Sequence, residues 1–240
     1  MKRFLHHALA ASLAAAPASL AALAAAIVLA PAPAHAGCTD YPGPGVNWSN
    51  CRKRNVVLSG SDFTGANFKD IDILGSDLRN GKFDKVNFSR ALMNRVNMSG
   101  SSAQGADFRK VESARTVFRK TGLQNANFEK SVMFRTDMTG ADLSGANINK
   151  AEFSRAVLAD ANLENAMLSF ANLARADFRG ANMDGVDLNS SWTYLSRFDG
   201  VDLSGVKNLS QAQIDIACGN ADTKLPDGLE SPNPWPCDFD

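Results

Sequence analysis

The chain has 240 residues, with 25 Lys+Arg against 25 Asp+Glu, four Cys and three His. A formal net charge of zero argues against a general nucleic-acid binder or an acidic tail protein. His6, His7 and His35 all lie in the first 36 residues, so histidine triads, Cys-His pairs and histidine-ligated metals are excluded from the remainder. No catalytic residue, metal site or cofactor is expected.

Residues 1–36 read as an export signal. Lys2 and Arg3 form its positive start, Ala8 to Ala30 an alanine- and leucine-rich run, and Ala34-His35-Ala36 a small-x-small cleavage site. Pro17, Pro31 and Pro33 favour cleavage. Because the run is longer than a usual signal core, retention as an anchor is the alternative. No later segment approaches the ~20 apolar residues that span a bilayer. The expected location is periplasmic or secreted, where four cysteines are expected to pair with one another. Three pairings are possible.

From residue 56 a period of five takes over. Every fifth residue from Leu58 to Leu203 gives 30 positions, of which 27 are Leu, Ile, Phe or Met; Ala103, Ser113 and Thr193 are the exceptions. Two residues earlier, from Val56 to Val201, 29 of 30 are Ala, Ser, Thr, Gly or Val, with Ile71 the exception. This period matches neither the 3.6 of a helix nor the 2.0 of a strand. A coil that turns a corner every five residues would point both sets inward. Gly60, Gly65, Gly100, Gly105, Gly140 and Gly145 at the last place suit such corners, since glycine accepts positive φ.

Ala66-Asn67-Phe68, Ala141-Asp142-Leu143, Ala161-Asn162-Leu163, Ala171-Asn172-Leu173 and Ala176-Asp177-Phe178 resemble the A-(D/N)-L-x-x signature of the pentapeptide-repeat family. The resemblance covers residues 56–205. It implies an all-β fold, a right-handed quadrilateral β-helix with four pentads to each coil. Seven and a half coils at ~4.8 Å would build a rod roughly 35 Å long. One inward column then reads Phe68, Phe88, Phe108, Phe128, Ile148, Leu168, Leu188. Residues 37–55 and 206–240 are the expected caps, because an open coil end exposes core and backbone edge. In the second cap, Ser210 is expected to start a helix from Gln211 to Cys218, stopped by Gly219. A strap rich in proline, with Pro226, Pro232, Pro234 and Pro236, would follow. On such a rod the two ends lie beyond disulfide reach, which favours Cys38–Cys51 and Cys218–Cys237.

An unbroken register leaves no loop for a lid or cleft, and the outward acids Asp77, Asp137 and Asp177 read as solvating wall residues. The reading is a non-catalytic binding or scaffold rod of the cell envelope. Some family members shield type II topoisomerases by mimicking DNA with a strongly acidic surface. That alternative is disfavoured here by the neutral charge and the export signal.

Two features exceed the needs of the repeat. Met167, Phe170, Trp192, Tyr194 and Leu195 replace polar outward residues near the last coils. The strap with Trp235 is expected to fold over them, a partner site being the other reading. The second feature is a ridge of cations. With 20 residues per coil, one corner reads Arg95, Arg115, Arg135, Arg155, Arg175, and the preceding corner Arg90, Lys110, Lys130, Lys150. Like charges ~5 Å apart in water cost about 0.8 kcal/mol per adjacent pair. Glu112, Glu129, Glu152 and Asp137 are expected on the same wall and offset part of it. One reading is that Lys and Arg are merely tolerated at an exposed corner, their stems covering apolar wall. The functional reading is that the ridge docks an anionic envelope polymer or an acidic protein face, with Arg115, Arg135 and Arg155 at its centre and no nucleic acid involved. End-to-end self-association of rods is also open.

Overall fold

Each pentad supplies a small residue, a polar residue, a large apolar residue and two turn residues, and the backbone bonds follow from that order. The computed structural model describes residues 37–237; the expected signal, residues 1–36, lies outside the described residues. The turn is closed within the chain, as where Ile71 N donates to Phe68 O at 3.1 Å. The straight part bonds to its neighbours: Asn67 N donates to Val46 O below, and Phe68 N to Asn87 O above. Parallel bridges join residues 20 apart, from Asn47–Asn67 through Asp187–Lys207. Four pentads therefore complete one coil, and the fold is a right-handed quadrilateral β-helix.

First- and third-place side chains fill the interior. Phe88, Phe108 and Phe128 stack with centroids 5.0 and 4.8 Å apart, close to the ~4.8 Å between neighbouring strands. Several inward hydroxyls reach a carbonyl, as where Thr121 Oγ1 donates to Met98 O and Ser196 Oγ to Leu173 O, whereas those of Ser113 and Ser131 reach no partner. Most buried polar groups find such partners.

The coil pattern begins before residue 56. Gly45 N donates to Thr64 O, and Arg52 already bridges Asp72. Trp48 begins the phenylalanine column, 5.4 Å below Phe68 and stacked against it. Lys53 hides this coil from a pattern search, because it puts a charge at an inward place. Its ammonium sits 4.2 Å over the Trp48 ring and closes the end of the core. A Cys38–Cys51 disulfide ties the preceding segment down, with Cα atoms 5.5 Å apart.

The other end departs from the expected helix. Helix α1 spans Gln211–Ile214 and stops short of Cys218. Its start is as expected, with Ser210 N donating to Gln213 Oε1. It ends early because the chain must rejoin the ladder: Leu195 N donates to Ile216 O, and Cys218 N donates to Ser196 O. Bridges Arg197–Cys218 and Asp202–Lys224 continue the coil with one and then two extra residues. The strap is pinned by Cys218–Cys237 and by Trp235, whose ring lies over Gly219 where a Cβ would come within 2.7 Å.

Candidate functional site

The outward acids are all engaged. Arg79 donates to Asp77, Arg119 and Thr139 to Asp137, and Arg179 to Asp177. The Arg79 guanidinium holds Asp77 below the usual carboxylate range. Burial pushes Asp137 and Asp177 up, but their hydrogen bonds outweigh it and the net direction is down. None is tuned upward as a general acid requires. Among the described residues, no group of three His, Cys, Asp or Glu side chains could hold a metal.

The corners are not equivalent. Every fifth-place residue from Asn55 to Gly200 has a positive φ, which costs a side-chain-bearing residue ~1–2 kcal/mol. Two of the four corner columns relieve that cost with glycine, at ten of sixteen positions from Gly60 to Gly205. The other two carry no glycine from Arg90 to Arg175: they hold the nine cations of the ridge and Phe170. Arg95, Arg115, Arg135, Arg155 and Arg175 have φ between 53 and 58° and are all exposed.

Ion pairing separates one column from every other. Arg52, Arg54, Arg79, Arg90, Arg109, Arg119, Arg179 and Arg197 each pair with an aspartate. The five arginines from Arg95 to Arg175 are the described arginines with no ion pair. On the preceding corner Arg90 pairs with Asp70 and Lys130 with Glu129, while Lys110 and Lys150 form no direct ion pair and Lys150 acts on Glu129 only at longer range. Of the acids expected alongside, Glu112 and Glu152 stand on the wall between the two corners. Glu129 belongs to the lysine corner, and the coil register puts Asp137 on the next wall, where it pairs with Arg119.

The strap does not cover the aromatic patch. Trp235 is 5% exposed, whereas Trp192 is 55%, Tyr194 43% and Phe170 57% exposed. Gly219 and the Cys218–Cys237 bond seat Trp235 against the end of the core instead. Trp192 and Tyr194 stack at 6.2 Å on the wall between the cationic corners, one coil beyond Asn172. A further strip escaped the sequence reading. The fourth-place column on the arginine side reads Leu74, Asn94, Ala114, Phe134, Ser154, Ala174 and Tyr194, apolar or aromatic at five of seven places, and Arg135 lies 5.1 Å over the Phe134 ring. Grouping fourth places by 20 would have revealed it, since the three other fourth-place columns are polar apart from Ala159. Two open hollows flank the wall. One of about 330 Å³ is lined by Arg90, Lys110 and Lys130, and one of about 550 Å³ by Arg95, Arg115 and Phe134.

The profile described as pentapeptide repeats, in eight copies, matches residues 45–80, 72–109, 114–149 and 151–191. No curated protein sequence matches the chain. Among solved structures it is similar to HetL, a pentapeptide repeat protein involved in heterocyst differentiation regulation from the cyanobacterium Nostoc sp. strain PCC 7120. That likeness has 19% identity over 78% of this chain and 86% of HetL, with a TM-score of 0.59. QnrB1, a plasmid-mediated fluoroquinolone resistance protein, matches at 20% identity over 77% of this chain and 85% of its own, with a TM-score of 0.41. A pentapeptide repeat protein of the Arabidopsis thaliana thylakoid lumen matches at 28% identity over 45% of this chain and 66% of its own, with a TM-score of 0.29. With repeats matched over more than half its length and the coil geometry to go with them, the chain belongs to the pentapeptide-repeat family.

Proposed function

We propose that this chain is a non-catalytic binding rod of the cell envelope, periplasmic or secreted, whose cationic wall docks an anionic partner. The observation that carries the reading is the arginine column from Arg95 to Arg175. Its members lack the aspartate that every other described arginine has, and they hold a backbone conformation that glycine would adopt at lower cost. Arginines about one coil apart offer a row of planar forks to repeated phosphates or carboxylates. Two disulfides favour an oxidising compartment. The wall is opposite in sign to what a DNA mimic needs.

Replacing Arg115, Arg135 and Arg155 together by Gln tests the reading. No inward residue changes, so thermal stability should be unaffected or slightly raised. Affinity for an anionic matrix should fall roughly tenfold, from three exposed charge contacts at about 0.5 kcal/mol each. Added salt should weaken the wild type in the same way. Elution of variant and wild type at one salt concentration refutes the proposal.

A further inference from the structure

The wall carries more than a soluble polyanion requires. Its two long edges are cationic. Leu92, Val132 and Trp192 stand in its outward middle column, with Phe134 and Tyr194 beside the arginines and Phe170 at the end of the lysine corner. We propose that this wall lies side-on against an anionic phospholipid bilayer. The cations meet headgroup phosphates, while Trp192, Tyr194 and Phe170 enter the interfacial layer. The proposal rests on the arginine ladder as a docking surface and names its partner.

Three observations favour a bilayer over a strand of protein or polymer. Trp and Tyr, apolar in body and polar at one end, favour the headgroup level of a membrane. Basic side chains are drawn to the negative surface potential of anionic lipid. Here both kinds occupy one wall, flanked by hollows lined by Arg90, Lys110 and Lys130 on one side and by Arg95 and Arg115 on the other. The third observation is the pair of acids on the wall, Glu112 and Glu152. An anionic strand laid down the middle would meet them rung by rung. Lipid headgroups diffuse aside and gather at the rails instead.

Tryptophan fluorescence reports the contact. Trp48 and Trp235 are 1% and 5% exposed, and residues 1–36 contain no tryptophan, so a change in emission reports Trp192. The full chain is mixed with vesicles of phosphatidylglycerol and phosphatidylcholine, or of phosphatidylcholine alone. Anionic vesicles should shift Trp192 emission to the blue and shield it from iodide, and neutral vesicles should not. The Arg115, Arg135 and Arg155 to Gln variant should lose roughly a hundredfold in partitioning to the anionic vesicles. Far-UV circular dichroism confirms that it remains folded. Insertion of the apolar leader into vesicles would occur with both lipids and leave Trp192 unshifted, and such a result overturns the proposal. Retention on soluble polyphosphate or polyglutamate, sensitive to the variant but with Trp192 unmoved by vesicles, also overturns it. In that case the ladder remains a docking surface and the bilayer is the part that fails. Loss of both responses removes the ladder as well.

Discussion

At Arg115 the backbone sits at φ 56°, where its side chain makes no ion pair. The left-handed conformation costs about 1–2 kcal/mol for a side-chain-bearing residue, and the entropy of unfolded glycine offsets roughly 0.5–1 of that. Arg115→Gly is therefore expected to raise stability by about 0.5–1 kcal/mol in urea unfolding while weakening retention on an anionic matrix. A residue kept only as corner filling would show the first effect without the second. The cations themselves were legible in the sequence, because register 20 residues apart is enough to line them up. Their lack of partners was not. Asp137 and Arg119 are 18 residues apart, as are Asp72 and Arg54, while Arg79, Arg109 and Arg179 take an aspartate two residues away and Arg90 one a full coil back, so no single spacing marks a pair. Only side-chain geometry shows which arginines are left out.

One coil is the smallest unit whose interior makes sense. Phe108 touches Phe88 below, Phe128 above and Phe118 on the opposite side of its own coil. Phe108→Ala removes ring contacts with two neighbouring coils at once and is expected to cost about 3–5 kcal/mol, measured as a lower urea midpoint. The regular coils could be read from composition alone, since their inward places are apolar almost without exception. Both ends were harder to read, for one physical reason. An end coil has no neighbour on one side, so its residues answer to solvent as well as to the core. Lys53 fills an inward place with a charge, and Gln213 is buried while its amide donates to Leu188 O and Ser191 O. Each breaks the pattern that would announce the coil it belongs to. Helix α1 likewise has a legible start in Ser210, but its stop is set by the ladder that Cys218 must rejoin.

Several carboxylates along the molecule are held in the charged form. The Arg54, Arg79 and Arg90 guanidinium groups keep Asp72, Asp77 and Asp70 below the ordinary range, and the Lys224 ammonium and the Ser204 hydroxyl bring Asp202 to about 2. A depressed carboxylate gives stability that is complete above its unfolded value near ~3.9 and is lost as pH falls through the folded value. Thermal midpoints should therefore hold steady down to about pH 5 and decline towards about pH 2. The absence of insertions between residues 56 and 205 has a further consequence. The distance between rungs is set by backbone hydrogen bonds and not by the side chains attached to them. Substitution can blank a rung, and adding or deleting a whole coil changes their number, but neither alters the pitch. Such an array is a ruler. A stiff ligand whose charges repeat at another interval would fall out of phase within a few coils, whereas a fluid surface adjusts to whatever interval it meets.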